Sequence, residues 1–172
     1  MLFRDLFLAL STNRLVAQVV TGFPAFKRMS RRFVAGETLD EAIQAVANLY
    51  SLNLHVTLDH LGESVTEEGM ARAAAAAYLA ALDGIDRSGI PCHVSLKLTQ
   101  MGLDLGRDLC LANLRAILEK ARQVGTFVRI DMEGSPYTER TLDIYRTLHA
   151  EYANVCVAIQ AYLYRSQADV AQ

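Results

Sequence analysis

Four stretches of the chain alternate apolar and polar residues with the period of a β-strand, and each is followed by residues with the period of a helix. Leu54-His55-Val56-Thr57-Leu58 is the first, His93 to Leu98 the second and Phe127 to Met132 the third, while Val155 to Ile159 opens a fourth. The intervening patterns predict an alanine-rich helix near 66–87, a second near 108–123 and a third near 137–150. Gly89 and Gly125 stand where the first two of these helices must stop, since glycine takes the left-handed conformation that closes a helix without steric cost. Upstream, Thr38-Leu39-Asp40-Glu41 has the spacing of a capping box and predicts a helix over Ala42 to Leu49. Residues 1–36 read as two or three further helices, broken at Ser11-Thr12-Asn13 and at Thr21-Gly22-Phe23-Pro24 before Gly36 opens a turn.

Regular alternation of strand and helix predicts a parallel sheet with helical crossovers. No G-x-G-x-x-G turn follows any of the strands, so the dinucleotide-binding mark of a doubly wound sheet is missing. The phase of the strands adds a second argument. Leu54, Val56 and Leu58 oppose His55, Thr57 and Asp59; Val94, Leu96 and Leu98 oppose His93, Ser95 and Lys97. Val128, Ile130 and Met132 oppose Phe127, Arg129 and Asp131, and Val155, Val157 and Ile159 oppose Cys156, Ala158 and Gln160. Each strand thus has one aliphatic face to lie under helices and one face that ends in a polar group near its carboxyl end. That is the pattern of a (β/α)8 barrel, whose active sites gather at the carboxyl ends of the strands. The expectation is an α/β fold, a partial (β/α)8 TIM barrel of about four β/α units over residues 53–172, preceded by an N-terminal helical arm over 1–52.

Composition narrows the function classes. The chain has 172 residues, 52% of them hydrophobic, with 17 basic against 19 acidic side chains and a formal charge of -2, so it has the apolar mass for a core and no nucleic-acid footprint. Cys92, Cys110 and Cys156 lie far apart without a CxxC pair, which fits reduced, mostly buried thiols in a cytoplasmic protein. Arg4, Asp5 and Arg14 interrupt the N-terminal apolar residues, which argues against a signal peptide or a spanning helix. Leu2, Phe3, Leu6, Phe7 and Leu10 instead have the spacing of an amphipathic helix, for packing on the core or, as a minority use, for peripheral membrane contact.

The candidate chemistry lies where Asp59, Lys97, Asp131 and Gln160 would converge if the four strands are neighbours in order. An ammonium inside a barrel needs a partner, and Asp59 or Asp131 could supply it. On these residues alone Lys97 is open to three readings: half of a structural ion pair, a Schiff-base nucleophile as in a lysine-dependent aldolase, or a fixed cation for a substrate carboxylate. His60 and Glu63, in DHLGE, follow the first strand where a loop can present them. No H-x-x-x-H or H-x-H spacing occurs, and no metal site is expected.

TLDHLGE (57–63), VSLKLTQMGLDL (94–105), VRIDMEGS (128–135) and VAIQAYLYRS (157–166) together resemble the proline dehydrogenase family, and RFVAGETLDEAIQAV (32–46) is similar to the arm that precedes its barrel. The resemblance covers nearly the whole chain and is specific as a set. It implies a barrel that binds FAD noncovalently and oxidises L-proline to 1-pyrroline-5-carboxylate by hydride transfer to the flavin, which hands its electrons to a membrane quinone. It further implies that Lys97 binds the proline carboxylate as a fixed cation, that Asp131 lies beside flavin and substrate, and that Gln160 hydrogen-bonds the flavin ring. Glu63 corresponds to the glutamate that pairs with a late arginine across the mouth of the site. The family's later cationic and adenine-side segments find no counterpart in these residues, so the expectation is a truncated chain, inactive by itself. A non-catalytic half-barrel that self-associates to close a barrel is the alternative of a different class, because an open half-barrel exposes two strand edges.

Overall fold

The computed structural model describes residues 34–171. Residues 46–171 form one compact unit, and residues 34–45 belong to another. The helices expected before residue 34, including the amphipathic one at Leu2 to Leu10, lie outside the described residues. The order of elements is α1 (Leu39–Ser51), β1 (Thr57–Asp59), α2 (Glu68–Ser88), β2 (His93–Leu96), α3 (Arg107–Val124), β3 (Val128–Ile130), a 3-10 turn (Ser135–Tyr137), α4 (Thr138–His149), β4 (Val155–Val157) and α5 (Ser166–Val170). The four strands form one parallel sheet in the order β1-β2-β3-β4, so the β/α units follow one another as in half of a (β/α)8 barrel.

The apolar phase of the strands is the covered face. Val94, Leu96, Val128 and Ile130 are fully buried, and Val155 nearly so. Helix α2 meets them with Ala71, Ala74, Ala75, Tyr78, Leu82 and Ile85, spaced three and four apart, and the alanines keep its axis close to its neighbours. Helix α3 contributes Leu111, Leu114, Ile117, Leu118 and Ala121. Each fully buried leucine or isoleucine of this layer is worth about 1.5–3 kcal/mol of transfer free energy. Both expected stops hold: Gly89 and Gly125 have φ of 63° and 77°. At the second, Gly125 N–H donates to Arg122 O and Thr126 N–H to Ala121 O, a Schellman closure.

The capping box at α1 is displaced by one residue. Thr38 Oγ1 accepts from Glu41 N–H at 3.3 Å, as expected, but the Glu41 carboxylate reaches Glu37 N–H at 2.9 Å and not that of Thr38.

The first strand is shorter than its alternation predicts. Asn53 takes a left-handed φ of 61°, and Leu54 N–H donates to Leu49 O while Asn53 N–H donates to Tyr50 O. Residue 54 therefore spends its backbone donor on closing α1 and cannot enter the sheet; its side chain is 50% exposed. The strand begins only where Val56 O accepts from His93 N–H. At β2 the regular strand stops at Leu96, and residues 98–105 form a series of turns, buried over 98–103, in which Met101 N–H returns to Lys97 O and Leu103 N–H to Leu98 O. The third and fourth strands also end early, at Ile130 and Val157, although Asp131 N–H still reaches Leu96 O and Ala158 N–H reaches Ile130 O.

Cys92 and Cys110 are buried and Cys156 half-buried, all as free thiols. Among the described residues no helix is long and apolar enough to cross a membrane.

Candidate active site

Parallel register lines up the second, more polar phase of the strands in rows. Asp59, Ser95, Arg129 and Cys156 are paired across β1, β2, β3 and β4 and so form one row. Lys97, Asp131 and Ala158 each follow two residues later in their segments, one step nearer the carboxyl ends. Charges of opposite sign therefore meet between rows. Lys97 Nζ reaches back to Asp59 Oδ2 at 3.4 Å, with both side chains about a quarter exposed (25% and 28%). Asp131 Oδ1 accepts from Arg129 Nε at 2.9 Å, from the residue two before it on the same face. Asp59, not Asp131, is the counter-ion of Lys97. Gln160 lies beyond β4 and donates from Nε2 to Met132 O at 3.2 Å, while its own carbonyl accepts from Ser166 Oγ at 2.5 Å. The four expected residues thus share one end of the sheet, but they meet as two separate ion pairs and one backbone tie.

A residue that the strand pattern did not single out organises the β1 side. Tyr78, on α2, is 1% exposed, and its hydroxyl lies 2.8 Å from Ser95 O, 3.0 Å from Asp59 Oδ1 and 3.3 Å from His60 N, whose N–H it accepts. Burial, reinforced by the Asp59 charge, pushes the Tyr78 phenol far above its ordinary pKa, so it serves as a neutral donor and acceptor. The buried Gln100 completes the arrangement: its Nε2 donates to His60 O at 3.0 Å and stands 3.1 Å from His60 Nδ1. The sequence signal for Tyr78 was its place on the apolar stripe of a helix otherwise made of alanine; nothing in that stripe reports where the hydroxyl ends. Arg129 was visible as the same-face neighbour of Asp131, two residues away on one strand.

Glu63 and His60 are exposed in the β1–α2 loop at this end of the sheet, and no contact joins Glu63 to Lys97, Asp131 or Gln160. Chemically, the arrangement offers a fixed ammonium with a carboxylate behind it, a second carboxylate held by a guanidinium, and an amide whose Oε1 has no protein partner among the described residues. Cys156, in the row of Arg129, has its thiol pKa raised by burial, which leaves it a poor nucleophile.

The proline dehydrogenase family model matches residues 42–172. The chain is 39% identical over 167 residues, 97% of its length, to proline dehydrogenase 1 of Bacillus subtilis subsp. natto, and 33% identical over 170 residues to proline dehydrogenase 2 of Bacillus subtilis strain 168. The proline dehydrogenase of Deinococcus radiodurans is 36% identical over 146 residues. The chain spans about half the length of these relatives, 55%, 56% and 47% respectively. Among solved structures, proline utilization A of Bdellovibrio bacteriovorus, inactivated by N-propargylglycine, superposes with a TM-score of 0.78 over 91% of this chain and 19% of its own, at 22% identity. That likeness bears on the fold; the family match and the 39% identity bear on descent. On those grounds the chain belongs to the proline dehydrogenase family.

Proposed function

We propose that these residues supply the first half of a flavin-dependent proline dehydrogenase site, in which Lys97 binds the carboxylate of L-proline. The observation that carries the reading is the Lys97 ammonium held at the carboxyl end of the sheet by Asp59, partly open to an incoming anion. Lys97 is partnered here as a cation, the state that attracts a carboxylate, whereas a Schiff-base nucleophile needs a free amine. We assign residues 53–172 to the half-barrel that carries the site and residues 1–52 to a separate N-terminal segment, with a membrane quinone as the final electron acceptor.

The residues present fit a flavin. Gln160 keeps an amide oxygen without a protein partner among the described residues, and Ala158, two residues before it, projects nothing beyond Cβ on the half-buried face. FAD, when bound, supplies the two-electron acceptor for oxidation of proline to 1-pyrroline-5-carboxylate. The chain's own residues do the rest. Gln160 orients the ring edge by hydrogen bonding, Asp131, steadied by Arg129, places a fixed negative charge beside ring and substrate, and Lys97 fixes the carboxylate end of proline. Glu63 stands at the mouth and controls access.

The test is a proline titration of the complete enzyme that carries these residues, with its flavin content read from the visible absorbance. Lys97→Ala is expected to raise the KM for proline about tenfold or more, the equivalent of about 1.4 kcal/mol of lost binding, with flavin content unchanged. An unchanged KM rejects the carboxylate assignment, and absence of proline-dependent flavin reduction in the complete, unsubstituted enzyme rejects the reading as a whole.

A further inference from the structure

The β1–α2 loop that carries Glu63 has no regular structure from His60 to Glu67, and His60 to Ser64 are all exposed. Such a loop holds a side chain in place only if its backbone is tied elsewhere. It is tied on both sides of Glu63 by two consecutive residues of the turn after β2. On the near side, Gln100 Nε2 donates to His60 O, and Gly62 lies so close over this amide that a Cβ there would come within 2.5 Å of Nε2. On the far side, Ser64 N–H donates to Thr99 Oγ1 at 3.1 Å and Val65 N–H to Thr99 O at 3.4 Å. Ser64 is also one of two non-glycine residues with positive φ among those described, at 52°, a conformation that persists when its surroundings hold it.

Thr99, 1% exposed, is itself gripped from the segment that follows the third strand. Glu133 Oε1 accepts from Thr99 N–H at 3.1 Å, and Oε2 accepts from the Thr99 hydroxyl at 2.5 Å. The hydroxyl has one proton, and with that proton directed at Glu133 its lone pairs face Ser64 N–H. The chain of bonds from Ser64 through Thr99 to Glu133 therefore has a fixed direction, and it crosses the carboxyl ends of three consecutive strands. Both carboxylate oxygens are used, and the two bonds are charge-assisted.

We infer that Glu133 is a positioning residue: acting through Thr99, it sets the backbone at Ser64 and thereby the place of Glu63 at the mouth of the site. The inference rests on the proposed role of Glu63, but the clasp has a readout of its own. Thr99→Val keeps the shape and removes the hydroxyl. Glu133→Gln leaves one acceptor oxygen and presents an N–H where the hydroxyl proton points. Thr99→Ser keeps the hydroxyl and is the rescue.

Two quantities are measured, amide hydrogen exchange at Ser64 on the purified protein and the KM for proline on the complete enzyme that carries these residues. Thr99→Val and Glu133→Gln are each expected to speed Ser64 exchange about five- to tenfold, the loss of a single hydrogen bond, while Thr99→Ser stays near the unsubstituted rate. The same two variants are expected to shift KM in the direction of Glu63→Ala with little change in kcat, and Thr99→Ser is not. Unchanged Ser64 exchange in Thr99→Val overturns the clasp. If Thr99→Val fails to fold, Glu133→Gln decides the same point. Faster exchange without a KM shift, when Glu63→Ala does shift KM, overturns the positioning role. If Glu63→Ala leaves KM unchanged, the assigned role of Glu63 fails and the positioning role fails with it, while Ser64 exchange still decides whether the clasp exists.

Discussion

Asp131 gives its Oδ1 to Arg129, two residues earlier on the same strand, and leaves Lys97 to Asp59. The consequence is measurable as a pairwise coupling. In a double-mutant cycle on stability, Asp59→Asn with Lys97→Met should show a coupling of about 0.5–1 kcal/mol, the range for a pair still reached by solvent. Asp131→Asn with Lys97→Met should be additive within about 0.3 kcal/mol. Urea denaturation of the three single and two double variants checks both, and a larger coupling at Asp131 would reassign the counter-ion.

Tyr78→Phe removes a hydroxyl and nothing else. The buried Ser95 carbonyl and His60 N–H lose their nearest partner, and water cannot readily replace it behind a residue 1% exposed. The expected cost is about 1–3 kcal/mol of stability, read as a lower urea midpoint at unchanged slope. A cost near zero would mean that the hydroxyl is dispensable to the network.

His93 provides the pH dependence. Thr126 Oγ1 donates its proton to Cys92 O at 2.8 Å, so the 2.9 Å contact with His93 Nδ1 is a bond in which the imidazole donates. Burial, with the nearby His55 adding to it, lowers the His93 pKa below 6.5. The folded state then holds this proton less well than the unfolded state. The His93 contribution is intact above the unfolded pKa of about 6.5 and is lost progressively as the pH falls from there through the lowered folded value. NMR titration should place the His93 midpoint below 6.5, and the urea midpoint should fall between pH 7.5 and 5.5. A His93 midpoint at or above 6.5 would contradict the burial argument.

Asn53 tests the helix closure that shortened the first strand. Asn53→Gly should be neutral or slightly stabilising, because glycine enters the left-handed region without penalty. Asn53→Val should cost about 1–2 kcal/mol, the price of placing a branched side chain there. Thermal unfolding followed by circular dichroism ranks the three, and equal stabilities would show that φ at residue 53 relaxes freely.

Asn53 also marks a boundary of what could be read from the amino acids. The two periods, the order of the units and both glycine stops were legible because each depends on neighbours in sequence: helix spacing on residues three and four apart, a stop on one residue's φ. Leu54 was misplaced because its apolar side chain continued the alternation of the strand while its backbone N–H was already committed to Leu49 O. The site was legible to the same depth. Strand phase put Lys97, Asp59 and Asp131 on one face, but which carboxylate meets the ammonium depends on side-chain reach between rows, and Arg129 competes for one of them. Tyr78 and the Thr99–Glu133 clasp join residues 17 to 35 positions apart through a helix and a buried turn whose paths no local pattern reports.

Because Lys97 already has a carboxylate, an incoming anion does not simply add to it. Binding there is an exchange of partners, and its free energy is the difference between two similar ion pairs minus whatever Asp59 loses when it is left alone. A simple anion gains little from such a trade. A zwitterion does better, since its carboxylate can take Lys97 while its own ammonium compensates Asp59, and the site's total charge stays the same before and after. Under the proposed role of Lys97, the ion pair would favour molecules that carry both charges over those that carry only one.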